Sequence, residues 1–130
     1  LADHATFPIW HQEADLWMLD MQDENKLVSL DALNSTSVES YHSWSSNSRW
    51  VVFSSRRMDG LYTRPYIASV YTDGRVGKPF VLPQAKGDFY DKCMNSYNIP
   101  ELIKDEVSVG QNELLRKALG EEKKQVSSAI

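Results

Sequence analysis

The chain is short of several things at once. It has one cysteine, Cys93, which excludes an internal disulfide and any zinc site built from several cysteines, and which reads as a small, buried or half-buried thiol. No stretch approaches the ~18 consecutive apolar residues that a membrane span requires. Leu1 to Trp10 contains no basic stretch followed by an apolar run, so no signal peptide is read there. The serines occupy no Gly-x-Ser-x-Gly elbow, and the acids no Asp-x-Asp-x-Asp-Gly calcium loop. Aromatic residues are missing from the last 33 positions, and the first 41 hold a single base, Lys26.

What remains is an ordinary globular composition. The 130 residues suffice for one domain, and 42% hydrophobic with 25% charged residues excludes wholesale disorder. The net charge of −4 argues against nucleic acid as the main partner. That charge is unevenly spread. Residues 1–41 carry eight acids against Lys26, a net of −7; residues 42–97 carry four acids and eight bases, a net of +4; residues 98–130 carry six acids and five bases, a net of −1. Opposite signs in adjacent segments favour packing of the first two against each other, or head-to-tail attraction between copies; a mixed, solvated surface is the alternative.

All fourteen aromatic residues lie between Phe7 and Tyr97. The composition therefore divides the chain into a body, 1–97, and a tail, 98–130, with the break at Asn98-Ile99-Pro100, where proline disfavours helix at the preceding residue. The body has β character. Ala14 to Asp20 and Lys26 to Leu30 flank the polar run Gln22-Asp23-Glu24-Asn25 and read as a hairpin. Trp50 to Ser55 is rich in the β-branched and aromatic residues that suit a pleated, half-buried surface. Thr63 to Tyr71 places Tyr66, Ala68 and Val70 on one face and Ile67, Ser69 and Tyr71 on the other. Asp59-Gly60 and Asp73-Gly74 mark turns, because glycine takes positive φ freely. Lys78 to Pro83, bracketed by prolines, reads as an edge strand. In the tail, Leu114, Leu115, Ala118 and Leu119 fall on one helical face, with Asn112 as N-cap and Gly120 beyond the end; this predicts an amphipathic helix over 112–119, docked on the body or a neighbour, before a charged, frayed end at 121–130.

The stretch Ser43-Trp44-Ser45-Ser46-Asn47-Ser48-Arg49-Trp50-Val51-Val52-Phe53-Ser54-Ser55-Arg56-Arg57-Met58-Asp59-Gly60 resembles the core repeat of TolB-like β-propellers, Trp-Ser-Pro-Asp-Gly-Lys followed by an apolar strand, Ser-Ser, a charged pair and Gly. Asp15 to Asp20 looks like the outer hairpin strand of a preceding blade. Glu39 to Trp44, Leu61 to Tyr66, Gly77 to Gln84, Phe89 to Asp91 and Ser96 to Glu101 are similar to the C-terminal blades of bacterial envelope proteins of that family. The likeness covers roughly Ala14 to Leu102. It departs at Asn47 and Ser48, where the family has Asp and Gly; Asn tolerates a left-handed turn, whereas Ser is a poor residue for positive φ.

This resemblance implies a mainly β fold of about two propeller-type blades, each an antiparallel four-stranded sheet, with a short C-terminal helix, as part of a larger propeller. Trp44 and Phe53 would then be core aromatics buried against the next blade, and the fragment would cover its open face with the tail helix or associate. The implied role is a non-catalytic protein-interaction scaffold of the cell envelope, periplasmic or outer-membrane-associated; the alternative is a carbohydrate-binding or carbohydrate-processing accessory domain, and a propeller gating a hydrolase is a third, weaker one. No cofactor and no metal is expected. Propellers bind at blade ends, and there Arg56, Arg57, Asp59, Tyr62, Arg64 and Tyr66 form the best binding constellation, with arginine forks and aromatic faces suited to a partner carboxylate or a glycan. The competing expectation is that these arginines pair with the acidic first segment. His4, His11 and His42 match no metal spacing, and Ser43, Ser45, Ser46, Ser54 and Ser55 read as turn or edge hydroxyls rather than nucleophiles. The acids of Asp20 to Asn25 read as a soluble hairpin tip.

Overall fold

Four consecutive apolar residues, Leu16-Trp17-Met18-Leu19, followed by a polar turn, set up the first element. In a computed structural model, which describes residues 7–119, strands β1 (Trp17–Asp20) and β2 (Lys26–Ser29) pair as an antiparallel hairpin. Glu24 and Asn25 take positive φ in its turn, and the Lys26 amide donates to the Asp23 carbonyl. The strand begins later than the apolar run because the Asn34 side-chain amide brackets Leu16, accepting from its N–H and donating to its carbonyl at 3.0 and 2.9 Å.

The second sheet has four strands in sequence order: β3 (Glu39–Trp44), β4 (Trp50–Ser55), β5 (Arg64–Ser69) and the two-residue edge strand β6 (Phe80–Val81), all antiparallel. Thus the fold is mainly β, as expected, but the two sheets have four strands and two, not four each. A bulge between Ser40 and Ser43, with Tyr41 at φ 49°, kinks β3. The β3–β4 turn is held by side chains: Ser45 Oγ donates to Asn47 Oδ1 and accepts from the Trp50 amide, while Asn47 Oδ1 also accepts from the Arg49 amide. Ser48 does sit at positive φ, 56°, a conformation that costs a non-glycine residue roughly 1 kcal/mol. Gly60 and Gly74 occupy the left-handed positions that their Asp-Gly turns require.

Cross-strand partners share a face, so the register defines two sides of this sheet. The near side carries Val51 and Phe53 of β4, Tyr66 and Ala68 of β5 and Val81 of β6. Leu30 and Leu33 close over it, and Leu16 and Met18 of the hairpin pack against it, so hairpin and sheet lie as two stacked layers around one core. Phe53 and Tyr66 stack at 5.9 Å, and Phe53, Leu33 and Ala68 are fully buried. The far side carries Trp50 and Val52, Ile67 and Ser69, and Phe80.

Trp44 departs from expectation. It pairs with Val51 and so belongs to the near side, yet it is 42% exposed, because β3 is the edge strand and the cover of Leu16, Met18, Leu30 and Leu33 falls on β4 and β5. A smaller cluster, Ile9, Ala14 and Val38 with Tyr41, fixes the segment before the hairpin, which opens with a one-turn 3-10 helix at Pro8–Trp10. A one-turn helix α1 (Phe89–Lys92) and an irregular strap follow β6. Helix α2 (Gln111–Leu119) matches the predicted tail helix with its start one residue earlier, and it buries none of its residues: Leu114, Leu115 and Leu119 are all exposed rather than docked. Gly120 and residues 121–130 lie outside the described residues, as does His4.

Candidate functional site

The arginine–tyrosine constellation comes together in space, and most of it is spent inside the protein. Arg57 donates to Glu39 Oε1 at 2.8 Å, to the Leu33 carbonyl at 2.6 Å and to Ser55 Oγ at 3.1 Å, while its guanidinium lies over the rings of Phe53 and Tyr66. Glu39 is fully buried and also accepts from the Ser35 amide and hydroxyl and from Ser55 Oγ. An acid of the first segment is therefore joined to a base of the second across the core, the pairing that the charge segregation allowed. Burial of Tyr66 raises its phenol above the ordinary value.

Arg64 makes a second node. It is almost wholly buried, donates to the carbonyls of Tyr90, Cys93 and Asn95 at 3.1, 2.7 and 2.7 Å, lies 3.5 Å from Asp59, and faces the rings of Tyr62 and Tyr90. The three carbonyls belong to the last turn of α1 and the strap behind it, which Arg64 thus pins to β5. Ser54 Oγ, 3.0 and 2.7 Å from the Tyr97 and Asn98 carbonyls, and the Tyr97 amide, donating to the Thr63 carbonyl, complete the attachment. Asp59 also accepts from the Leu61 and Tyr62 amides, so it shapes its own turn. Arg56 is half-buried over the Trp10 ring at 4.4 Å. What the constellation leaves on the surface is Asp59, part of Tyr62, and Arg56 with the largely exposed Trp10 ring it covers.

The remaining candidates are dispersed. His11 lies 3.6 Å from Glu13, and His42 is exposed on the bulge. Among the described residues no three His, Cys, Asp or Glu side chains converge as a metal would need, and no helix is long and apolar enough to cross a membrane. Ser54 and Ser55 are buried, Ser45 holds the β3–β4 turn, Ser43 sits in β3, and Ser46 is exposed. The half-buried Cys93 sulfur lies 3.9 Å from the Asn95 carbonyl and 3.6 Å from the Tyr97 hydroxyl; the contact with the Asn95 backbone, then that with Tyr97, holds the thiol below its usual range.

The surfaces open to a partner lie elsewhere. On the far side of the four-stranded sheet, Trp50, Ile67, Phe80, Leu82, Leu102 and Ile103 form an apolar groove of about 330 Å³, rimmed by Ser45, Ser46 and Lys104. On the opposite exterior of the molecule, the outer face of the hairpin presents Trp17, Leu19 and Leu27, which the register places side by side and which are 43%, 51% and 52% exposed. Both outer surfaces of the two-layer stack are thus apolar. A cleft of about 790 Å³ opens between the hairpin and the Tyr71–Val76 turn, lined by Asp20, Asp31, Asp73, Arg75 and Tyr71 among others. The Arg75 guanidinium, bonded to Asp73 at 2.7 Å, keeps that carboxyl below its ordinary value.

No family model, curated protein or solved structure matches the chain. The outer faces were absent from the sequence-derived site, but a signal for them is present: a strand apolar at every position, as in Leu16 to Leu19, belongs between two layers rather than at a surface.

Proposed function

We propose that this chain is a non-catalytic interaction module of TolB-like propeller type, comprising the outer hairpin of one blade and the whole of the next, and that it serves as a scaffold in the cell envelope. The observation that carries the reading is the stack itself. A two-stranded and a four-stranded antiparallel layer share one core, and each still shows apolar side chains on its outer surface. Layers of this kind are completed by neighbours on both sides, as in radially repeated sheets. The Ser45–Trp50 turn, the apolar β4 strand and the Ser54-Ser55 pair are the segments on which the resemblance to the family repeat rests. Recognition falls to the two outer faces and not to Arg57 and Arg64, which donate to acceptors inside the protein.

The test is site-specific photocrosslinking in a bacterial envelope, with a benzophenone residue placed at Trp50 or Phe80, at Leu19, or at the exposed control Met58. Adducts with polypeptide at the first three positions and none at Met58 support the reading; the same yield at all four positions, or adducts only with glycan, overturns it. A second reading, a carbohydrate-binding module, is favoured by the cleft that sets the half-exposed Tyr71 beside Asp20, Asp31 and Asp73, since sugars stack on aromatic rings and donate to carboxylates. A glycan array on which Tyr71→Ala abolishes binding supports it, and an array without hits removes it.

A further inference from the structure

The cleft between the hairpin and the Tyr71–Val76 turn carries a charge that its lining does not cancel. Its volume of about 790 Å³ lies in the range of small-ligand sites, and Met18, Leu30, Val70 and Val76, which belong to or pack on the core, form its apolar side. Asp20 comes to it from the end of β1, Asp31 from just beyond β2, and Asp73 from the Asp-Gly turn. Arg75 is the one base among the described lining residues; it is bonded to Asp73 at 2.7 Å and lies over the Tyr71 ring at 5.4 Å. Lys26 stands opposite Asp20 in the register but reaches Asp23 instead, at 3.4 Å. Asp20 accepts from the Gln22 amide and Asp31 from the Ser29 hydroxyl, both neutral donors. Neither carboxylate has a cation within 4.0 Å among the described residues.

A sugar hydroxyl can donate to such a carboxylate, but an ammonium donates about twice as strongly, and it also supplies the counter-charge that a carboxylate covered by a ligand needs. A sugar acid would meet two uncompensated carboxylates. We propose that the cleft takes an amino sugar with a free amine, its ammonium held by Asp20 and Asp31 and the apolar face of its ring laid against Val70, Val76 and Tyr71. The inference rests on the carbohydrate reading of this cleft and goes beyond it by naming the class of sugar.

The experiment is calorimetric titration of the whole chain with a β-1,4-linked glucosamine tetramer and with the same tetramer N-acetylated, which keeps the linkage and the rings and loses the charge. The amine form should bind more tightly by at least about tenfold, and its affinity should fall as salt rises. Asp20→Asn and Asp31→Asn should each weaken the amine form several-fold and leave the acetylated form unmoved. Equal affinity for the two tetramers overturns the amino sugar and leaves the carbohydrate reading standing; binding of neither removes both. An amine form held undiminished by the double Asn variant overturns the proposal, and so does spermidine bound as tightly as the tetramer, which assigns the cleft to amines without a sugar. Both aspartates are exposed, so these isosteric variants should keep the fold by circular dichroism; the pair of tetramers on the parent decides the question should one of them fail.

Discussion

The two sides of the four-stranded sheet are built from the same alternating strands and reach opposite outcomes. The near side closes over Phe53 and Tyr66, and its one buried acid, Glu39, is matched by Arg57 and by three donors from Ser35 and Ser55. The far side has comparable apolar residues in Trp50, Ile67 and Phe80, which stay partly open; Val52 is buried, and the strap covers the Ser54 end. Alternation alone makes a two-sided apolar sheet; which side becomes the core is decided by what the flanking chain brings to it. Here the hairpin and Leu33 come to one side, and a strap hung on Arg64 comes to part of the other.

The largest effects should fall on the closed side. Phe53→Ala removes a fully buried ring and should cost about 3–5 kcal/mol, and Glu39→Ala, which leaves Arg57 without its counter-charge, should cost a similar ~3–5 kcal/mol, both read by denaturant melts. Arg64→Ala should lower stability by roughly 1.5–3 kcal/mol and open the chain to proteolysis between Gln84 and Asn98 before the sheet itself is cut; equal protection in parent and variant would mean that the strap is held by other contacts. Ser48→Gly, relieving a left-handed serine, should stabilise by about 0.5–1 kcal/mol. On the open side, Phe80→Ser should change the stability of the monomer by no more than ~0.5 kcal/mol, and a loss as large as that of Phe53→Ala would erase the distinction between the sides. The smallest effect is set by Asp15, whose carboxyl is pushed up by partial burial and then by the charge of Glu39. Its protonated form is the one the fold favours: that contribution is fully present below the unfolded value of 3.8 and is lost as pH rises through the raised one. Asp15→Asn should therefore raise Tm slightly at pH 7 and leave it unchanged below pH 3.8.

Much of this was legible in the residues. Strands β1, β2, β4, β5 and the edge strand β6 follow from short apolar runs between turn residues, and the split of Tyr66, Ala68 and Val70 from Ile67 and Ser69 follows from alternation. The tail helix was visible in its leucine spacing. What the sequence hid depends on distant partners. Arg56, Arg57 and Arg64 look alike in a line of text; only the fold assigns one to a tryptophan face, one to a buried glutamate and one to three carbonyls at residues 90–95. Trp44 looked like core because its motif resembles a repeat, and it is half out of water because edge strands depend on cover that the local sequence does not provide. Helix α1 is too short for periodicity to reveal, and it lies where Arg64 can donate to its Tyr90 carbonyl and to those of Cys93 and Asn95 behind it.

That dependence of a residue at 64 on acceptors at 90–95 has a consequence for how the protein is made. When β4 and β5 have left the ribosome, the guanidinium destined for burial has no carbonyls to receive it, and Asp59 alone is a poor substitute. Closure of the nascent sheet is therefore expected to wait for some thirty further residues, and a ribosome-stalled chain ending before Asn95 should remain open to protease.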